Sequence, residues 1–269
     1  MPMSRANRLT RVRLNLRSSA TKRRIDDING QGSNSMNDDA TMLSDSVSDR
    51  LRGAGVVVVG FADLAPLDDE TRQGFPRAVS FAMPLTPSIV AGITEGPTEA
   101  YAGEYSRLNA LLTQVAQEIA AFIETRGWRA QARPATGDWS VTTLRAPFQH
   151  KTAATLAGLG WIGKCALLVT PDFGPAVRWA SVLTDAPLLT GTPVVESRCG
   201  DCTACVGICP GQACTGLNWR QGMPREEFWD PKACMAGMQQ VSMARLGRSG
   251  ICGMCIAACP FTQAYLRRV

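Results

Sequence analysis

The chain has 269 residues, of which 45% are hydrophobic and 19% charged, and its formal net charge is +5. This is the composition of an ordinary globular protein. The longest apolar run near the N-terminal side, 54–62, is far shorter than the about 20 apolar residues that a membrane-spanning helix needs. The composition therefore argues against a membrane protein and predicts one medium domain with a smaller one.

The positive charge is concentrated at the N-terminus. Residues 1–35 carry eight Lys or Arg and two Asp or Glu, a balance of +6, which leaves the other 234 residues with a balance of −1. Because this body offers no broad phosphate-binding face, its charge argues against tRNA binding. We expect 1–35 to be a disordered basic tail or an upstream extension whose true start is Met36. A mitochondrial transit peptide would have a similar composition.

The hydrophobic periodicity predicts alternating helices and strands from 36 to about 190. In chain order we expect a helix over 38–52, strands over 56–59 and 75–83, a helix over 104–126, a strand over 128–132, a helix over 151–156, and strands over 165–170 and 177–183. This order predicts an α/β (α+β) domain over 36–195, with helices packed on a sheet. The Pro- and Gly-rich stretch 187–193 would link it to a cysteine-rich domain over 196–269.

The strongest signal is a C-x2-C-x2-C-x3-C-P motif formed by Cys199, Cys202, Cys205, Cys209 and Pro210. Bacterial ferredoxins use this spacing for iron–sulfur clusters. Three thiolates on one tight loop can bind a single cluster, whereas the fourth is followed by a proline that suits the first turn of a helix and points away. A fourth cysteine that points away predicts a second cluster.

A second group of cysteines supplies that cluster. Its C-x2-C-x3-C-P ending repeats the first motif, and Cys234 stands upstream as the missing member. By the ligand exchange of two-cluster ferredoxins, we assign two [4Fe–4S] clusters. Set 1 is Cys199, Cys202, Cys205 and Cys259, and set 2 is Cys209, Cys234, Cys252 and Cys255.

Zinc and disulfides are the alternatives for these cysteines. Three cysteines within seven residues crowd a tetrahedral zinc ion. Disulfides need an oxidising compartment, and because no secretory signal is visible we expect a cytoplasmic protein. The two remaining cysteines, Cys165 and Cys214, are expected to be buried free thiols.

A G-x-G-x-x-G loop, Gly158 to Gly163, follows the predicted helix 151–156. A dinucleotide site needs a strand before such a loop and a helix after it, and here that order is reversed. Two interpretations stay open: the glycines allow the backbone to approach something flat or bulky, or they form a tight turn from helix to strand.

The segment from His150 to Lys164, the strand end 181–188 and the two cysteine motifs together resemble the epoxyqueuosine reductase superfamily, especially its short double-cluster members. The resemblance covers about 56–260. It implies a nitroreductase-like sheet-and-helix domain that holds cobalamin, joined to a small ferredoxin-like double [4Fe–4S] domain. It also implies that part of the glycine loop borders the corrin, namely Gly158, Gly160, Trp161, Gly163 and Lys164.

Four further residues are candidates for that site. His150, the only histidine, and Tyr105 are predicted proton donors, although each has a structural alternative. Lys151 and Arg178 are predicted to pair with acidic groups of a corrin or with a phosphate.

The resulting expectation is an iron–sulfur oxidoreductase that passes electrons from an external donor, such as ferredoxin or flavodoxin, through two clusters to cobalamin. Its substrate would be a small molecule or a modified nucleoside. The alternative is a ferredoxin-type electron-transfer module that serves a partner enzyme and has no chemistry of its own.

Three departures from the family pattern predict a substrate other than epoxyqueuosine in tRNA. The proposed general acid of full-length epoxyqueuosine reductases lies in an Asp-Thr-Gly-Pro stretch, and here Leu144 takes its place, thirteen residues before Ala157. Cys165 replaces an Asn after the Gly-Lys pair. Because the chain ends ten residues after Cys259, we also expect the C-terminal repeat domain that helps to hold tRNA to be absent.

Overall fold

The computed structural model describes residues 37–137 and 139–268, so the predicted tail, 1–35, lies outside the described residues. The chain divides into two compact units at Leu43. Residues 37–42, which belong to the first unit, are helical. Apart from the bounds of the first helix, everything that follows concerns the unit that begins at Leu43.

The elements follow the predicted order from a first helix, α1, over 37–53. The strands are β1 (Val58–Asp63), β2 (Arg77–Pro84), β3 (Ala130–Arg133), β4 (Trp161–Ile162), β5 (Leu168–Val169) and β6 (Val177–Thr184). The other helices are α2 (Asp69–Arg72), α3 (Pro87–Ala91), α4 (Glu99–Thr125), α5 (His150–Leu156), α6 (Ala204–Gly207), α7 (Arg225–Phe228), α8 (Pro231–Leu246), α9 (Met254–Ala258) and α10 (Pro260–Leu266).

Four strands form one antiparallel sheet in the order β1-β2-β6-β3, and β4 and β5 form a separate antiparallel pair. The helix α4 packs against β6 and β3, and α5 packs against β1, β2 and β6. The two central strands, β2 and β6, are buried along nearly their whole length because helices and edge strands cover them. The predicted class, helices packed on a sheet, is confirmed.

The long helix α4 begins five residues earlier than predicted. Thr98 caps it, since its side chain accepts a hydrogen bond from the backbone N–H of Tyr101. Tyr101 therefore falls inside the helix, where it is buried beside Leu108 and Leu112 on the apolar face.

The strand predicted over 165–170 is mostly wrong, because only Leu168 and Val169 are extended. Residues 163–167 instead form the turn that joins β4 to β5, and Ala166 adopts a left-handed φ of 57° there. Cys165 therefore lies in a tight turn, which we call the 163–167 turn.

The cysteine-rich end shares the main hydrophobic core with the sheet and α4. Ile256 of α9 and Tyr265 of α10 are buried in that core. Tyr265 also donates a hydrogen bond of 2.9 Å from its hydroxyl to the backbone carbonyl of Leu85, just after β2. The boundary between two domains near 195 stays a prediction. Among the described residues, no helix has the length and apolar character needed to cross a membrane.

Candidate functional site

The eight predicted ligand cysteines lie on short helices and the loops around them, and all eight are partly buried. Cys205 lies in α6, Cys234 in α8 and Cys255 in α9, while Cys259 caps α10 ahead of Pro260. Proline suits the first position of α10, because a backbone N–H at that position would have no partner within the helix.

Cys259 is the last cysteine of the second motif, but the charges of two cysteines of the first motif act on it. Burial, together with the nearby charges of Cys199 and Cys205, raises the pKa of the Cys259 thiol to about 11. Backbone N–H groups of Phe261 and Thr262 hydrogen-bond to this sulfur and oppose the shift. Three of the four cysteines of set 1 are therefore neighbours.

The cysteines of set 2 are also neighbours. Burial, then the charges of Cys255, Cys209 and Cys252, raise the pKa of Cys234 to about 12. The pKa of Cys252 is raised to about 11 by burial and by the charges of Cys255 and Cys209. Cys209, which belongs to the first motif by sequence, thus lies beside the cysteines of the second.

The two cysteines outside both sets are free and buried, as predicted. Interaction with the thiols of Cys205 and Cys255 raises the pKa of Cys165, and interaction with Cys205 raises the pKa of Cys214. The same interactions lower the pKa of Cys205 to about 3. No signal in the spacing of the cysteines indicated these interactions.

The protein's own backbone explains why two positions of the loop are occupied by glycine. Gly158 has a φ of +78°, and a Cβ there would lie 2.6 Å from the carbonyl oxygen of Thr192. A Cβ on Gly160 would overlap the carbonyl oxygen of Val169. These contacts favour the tight turn over an approach to a cofactor at both positions.

The third glycine brings the loop against the cysteines. A Cβ on Gly163 would lie 3.7 Å from the sulfur of Cys199. The ring of Trp161 is 4.9 Å from that of Phe261, and the guanidinium of Arg198 lies 5.7 Å from the same indole. Phe261 and Arg198 are close in sequence to Cys259 and Cys199, so Trp161 lies against the chain segments of set 1.

The two lysines of the predicted site are buried or partly buried, and both act on the protein itself. Lys164 is 4% exposed, and its charge helps to lower the pKa of Cys205. Lys151 donates a 2.6 Å hydrogen bond from Nζ to the carbonyl of Ala166, and burial lowers its pKa to about 8. Because this ammonium is held by the 163–167 turn, the structure favours a structural role for Lys151 over the predicted contact with a corrin.

His150 is partly buried, and both of its ring nitrogens are hydrogen-bonded. Nε2 lies 3.0 Å from the carbonyl oxygen of Pro134, and Nδ1 lies 2.9 Å from the hydroxyl of Ser181. Burial lowers its pKa to about 4, helped by the charges of Arg178 and Arg133. A neutral, fully bonded imidazole favours a structural role over the proton donor that the sequence suggested.

Tyr105 and Arg178 meet across the gap between α4 and β6. The guanidinium of Arg178 lies 4.0 Å from the centre of the Tyr105 ring, and its Nε donates a 2.9 Å hydrogen bond to Oδ1 of Asn109. Tyr101, Tyr105 and Asn109 are spaced four residues apart on one face of α4. That spacing could have revealed Asn109 from the sequence.

Tyr101 connects this group to the cysteines of set 2. Its ring packs edge to face on Tyr105, with 6.3 Å between centres. A Cβ on Gly253, between Cys252 and Cys255, would lie 2.7 Å from Cε1 of Tyr101. The ring of Tyr101 therefore fills the space between the second cysteine motif and the Tyr105–Arg178 pair.

The residues present fit iron–sulfur clusters. Among residues 37–137 and 139–268, no three His, Cys, Asp or Glu side chains meet closely enough to hold a single metal ion. A four-iron cluster spreads its four thiolates further apart, since each binds a different iron atom. A buried cation at Lys164 and a buried, unpartnered Nε1–H on Trp161 can offset the negative charge of such a cluster.

No family model matches the chain, but individual proteins do. It is 31% identical over 154 residues to an epoxyqueuosine reductase of Aliivibrio fischeri, which covers 54% of this chain and 38% of that protein. It is 34% identical over 175 residues to a tetrachloroethene reductive dehalogenase of Dehalobacter restrictus, covering 61% and 28%. The fold matches the crystal structure of a selenomethionine-labelled epoxyqueuosine reductase with a TM-score of 0.58 at 17% identity, over 84% of this chain and 67% of the other.

The chain matches less than half the length of the two curated relatives named above. Sequence identity above 30% to these two enzymes supports membership of the epoxyqueuosine reductase superfamily, and the fold is that of a solved epoxyqueuosine reductase.

Proposed function

We propose that this protein is a reductase in which two [4Fe–4S] clusters, held by set 1 and set 2, carry electrons to a cobalamin in the sheet-and-helix part of the chain. The observation that carries the proposal is the exchange of the fourth cysteines. Trp161 contacts both Phe261, two residues after Cys259, and Arg198, next to Cys199. The charge of Cys209 acts on Cys234 and Cys252. Two-cluster ferredoxins exchange their fourth cysteines in this way.

The surroundings of the cysteines suit an electron-transfer centre. The positive charge of Lys164 stabilises thiolates such as that of Cys205. The shared core of Ile256 and Tyr265 fixes the cysteine segments to the sheet, which keeps the distance for electron transfer constant. An external donor such as ferredoxin or flavodoxin would reduce the clusters.

The pair of Tyr105 and Arg178 is the part of the sheet domain that best fits the second cofactor. Cobalamin, when bound, would supply a metal centre that accepts single electrons and attacks a reducible substrate. Arg178 has no carboxylate partner among the described residues, so its guanidinium is available to an acidic side group of a corrin. Tyr105 can donate a proton from its hydroxyl, while His150 positions Ser181 and the backbone of Pro134.

Metal analysis of anaerobically purified protein tests this proposal. We expect about eight irons and one cobalt per chain, with the absorption and electron paramagnetic resonance of cubane clusters. Zinc in place of iron would contradict the assignment of the cysteines. A small molecule or a modified nucleoside is the proposed substrate class.

A second candidate is an electron-transfer module that serves a partner enzyme. It is favoured by the lack of an evident acid at two positions: Leu144 stands where the family has its proposed acid, and both ring nitrogens of His150 are hydrogen-bonded while its pKa is lowered to about 4. Cobalt analysis separates the two functions, because the module would hold eight irons without a corrinoid.

A further inference from the structure

The helix that carries Cys234 has a buried glycine on the face that bears this cysteine. Gly237 lies three residues after Cys234 in α8, and residues at this spacing are neighbours on the surface of a helix. Glycine inside a helix costs about 0.5–1 kcal/mol relative to alanine. A buried glycine at this position therefore indicates a close contact that a larger residue would prevent.

The chain that follows Cys209 makes this close contact. A Cβ on Gly237 would overlap the backbone nitrogen of Gly211 and would lie 2.9 Å from the carbonyl carbon of Pro210. From the opposite side, a Cβ on Gly211 would overlap the carbonyl oxygen of Ala233. The backbone of Pro210 and Gly211 thus packs directly on the backbone of α8, one residue after Cys209 and beside Cys234.

Hydrogen bonds hold the sulfur of Cys209 at the start of the same helix. The backbone N–H of Ala213 donates a 3.3 Å hydrogen bond to Sγ of Cys209. The carbonyl of Ala213 accepts a 2.8 Å hydrogen bond from the N–H of Asp230, the residue that caps α8. The N–H of Cys234 in turn donates to the carbonyl of Asp230 at 3.1 Å. Cys209 and Cys234, which are 25 residues apart in the chain, are therefore joined to one helix end through backbone groups.

We propose that Gly237 is a positioning residue for the cluster of set 2, because its lack of a side chain lets the Pro210–Gly211 backbone lie on α8 and so places Cys209 as a ligand beside Cys234. This inference rests on the proposed function, and it explains how a cysteine of the first motif reaches the cluster of the second. A side chain at 237 would push the 210–211 segment away from α8, and Cys209 would move with it. Groups behind the ligands orient them in this way at many metal centres.

Gly207 provides a matched contrast in the same stretch of chain. It lies in α6, between Cys205 and Cys209, and a Cβ built on it would have no atom within 4 Å. Alanine at 207 therefore adds the same methyl group close to Cys209 without a clash. A difference between the variants at 237 and 207 would report the contact with α8 rather than the loss of a glycine.

The test is iron analysis and electron paramagnetic resonance of the anaerobically purified full-length holoprotein with Gly237→Ala, Gly211→Ala and Gly207→Ala. The first two variants break one contact from its two sides, and both should lose the cluster of set 2. Their iron content should fall about twofold, from about eight to about four per chain, and the reduced protein should show one isolated cluster. Gly207→Ala should keep about eight irons.

A double variant tests whether Gly237 acts through Cys209. Cys209→Ser alone should leave about four irons per chain, and its combination with Gly237→Ala should lose no more than either change alone. A residue that only supports the fold would instead add its own loss to that of the ligand. An additive loss of iron in the double variant would overturn the inference.

Two other results would also overturn it. About eight irons in Gly237→Ala would show that the contact does not position Cys209. Loss of both clusters, or of soluble protein, in Gly237→Ala would show that the contact holds the whole fold rather than one ligand. Failure of the proposed function has a different signature, since the wild-type protein would then lack cubane signals before any variant is compared.

Discussion

The hydroxyl of Ser181, on β6, donates a 2.9 Å hydrogen bond to Nδ1 of His150, at the start of α5. The direction follows from the other ring nitrogen: Nε2 faces the carbonyl of Pro134 at 3.0 Å, and a carbonyl can only accept. His150 is therefore neutral and protonated on Nε2. It joins α5, β6 and the segment after β3, and protonation of Nδ1 would reverse the direction of the hydrogen bond with Ser181.

This neutral histidine predicts a pH dependence of stability. Burial lowers the pKa of His150 to about 4, below its ordinary value of 6.5, so the unfolded chain binds a proton more readily than the folded one. The free energy of unfolding should fall as the pH drops from about 6.5 to 4, by up to about 1.4 kcal/mol per pH unit.

Urea unfolding at several pH values checks this, with His150→Gln as the comparison. The chain has a single histidine, so the variant should lose this part of the slope while it keeps that of the carboxylates. Parallel pH profiles of the two proteins would contradict the prediction.

The exchange of cysteines between the sets predicts which cluster each substitution affects. Cys209→Ser should damage the cluster held by Cys234, Cys252 and Cys255, because Cys209 lies beside them. Iron content and electron paramagnetic resonance of the reduced protein measure this. Cys214→Ser, a few residues along the same segment but outside both sets, should keep both clusters. Damage confined to the cluster of Cys199 in Cys209→Ser would refute the assignment.

The bond between Tyr265 and Leu85 should stabilise the attachment of the cysteine-rich end to the sheet. Tyr265→Phe leaves a buried carbonyl at Leu85 without its 2.9 Å hydrogen bond, which should cost about 1–3 kcal/mol of unfolding free energy. Tyr105→Phe is the matched control, since within the described part of the chain its hydroxyl has no hydrogen bond. Equal urea midpoints for Tyr265→Phe and wild type would show that the bond contributes nothing.

Substitution of Gly160, in the glycine loop, and of Gly103, in α4, by alanine should have opposite effects on stability. A Cβ on Gly160 would overlap the carbonyl oxygen of Val169, so Gly160→Ala should destabilise the fold by about 3 kcal/mol or more. Gly103 lies inside α4 with open space around it, and Gly103→Ala should stabilise by about 0.5–1 kcal/mol. Thermal unfolding compares the two variants, and a stable Gly160→Ala protein would show that the turn can open.

We expect that this protein does not restore queuosine in a strain that lacks epoxyqueuosine reductase. A positioned acid contributes about 10²–10⁴-fold to steps that consume a proton. Leu144 cannot donate one, and its carbonyl is held by the guanidinium of Arg225 at 2.8 Å. Nucleoside analysis of tRNA checks the outcome, with the Aliivibrio fischeri enzyme as positive control. Full restoration would contradict the prediction, and its loss in His150→Ala would identify His150 as the acid.

Most of the sheet was predictable from local pattern. The apolar residues of α4 recur at the spacing of a helix that is buried on one face. The β-branched residues of β1 and β6 are typical of strands that are buried on both faces. The sequence therefore predicted both kinds of element. The ends of the elements were less predictable. The helix α4 begins at Glu99 because the side chain of Thr98 caps it, and the apolar pattern does not show this start. The strand predicted from Cys165 failed because Gly163 and the left-handed Ala166 close a turn there, and hydrophobicity does not encode backbone handedness.

The sequence by itself determined the chemistry of the cysteines, because thiolate spacing in C-x2-C-x2-C-x3-C-P is a local property of one loop. Only the tertiary structure decided what surrounds them. Gly163 lies 36 residues before Cys199 in the chain, and folding of the 163–167 turn brings it so close to that cysteine that a Cβ on Gly163 would lie 3.7 Å from the sulfur. The role of His150 was decided in the same way, because a pKa depends on burial and on partners such as Ser181, which are distant in sequence.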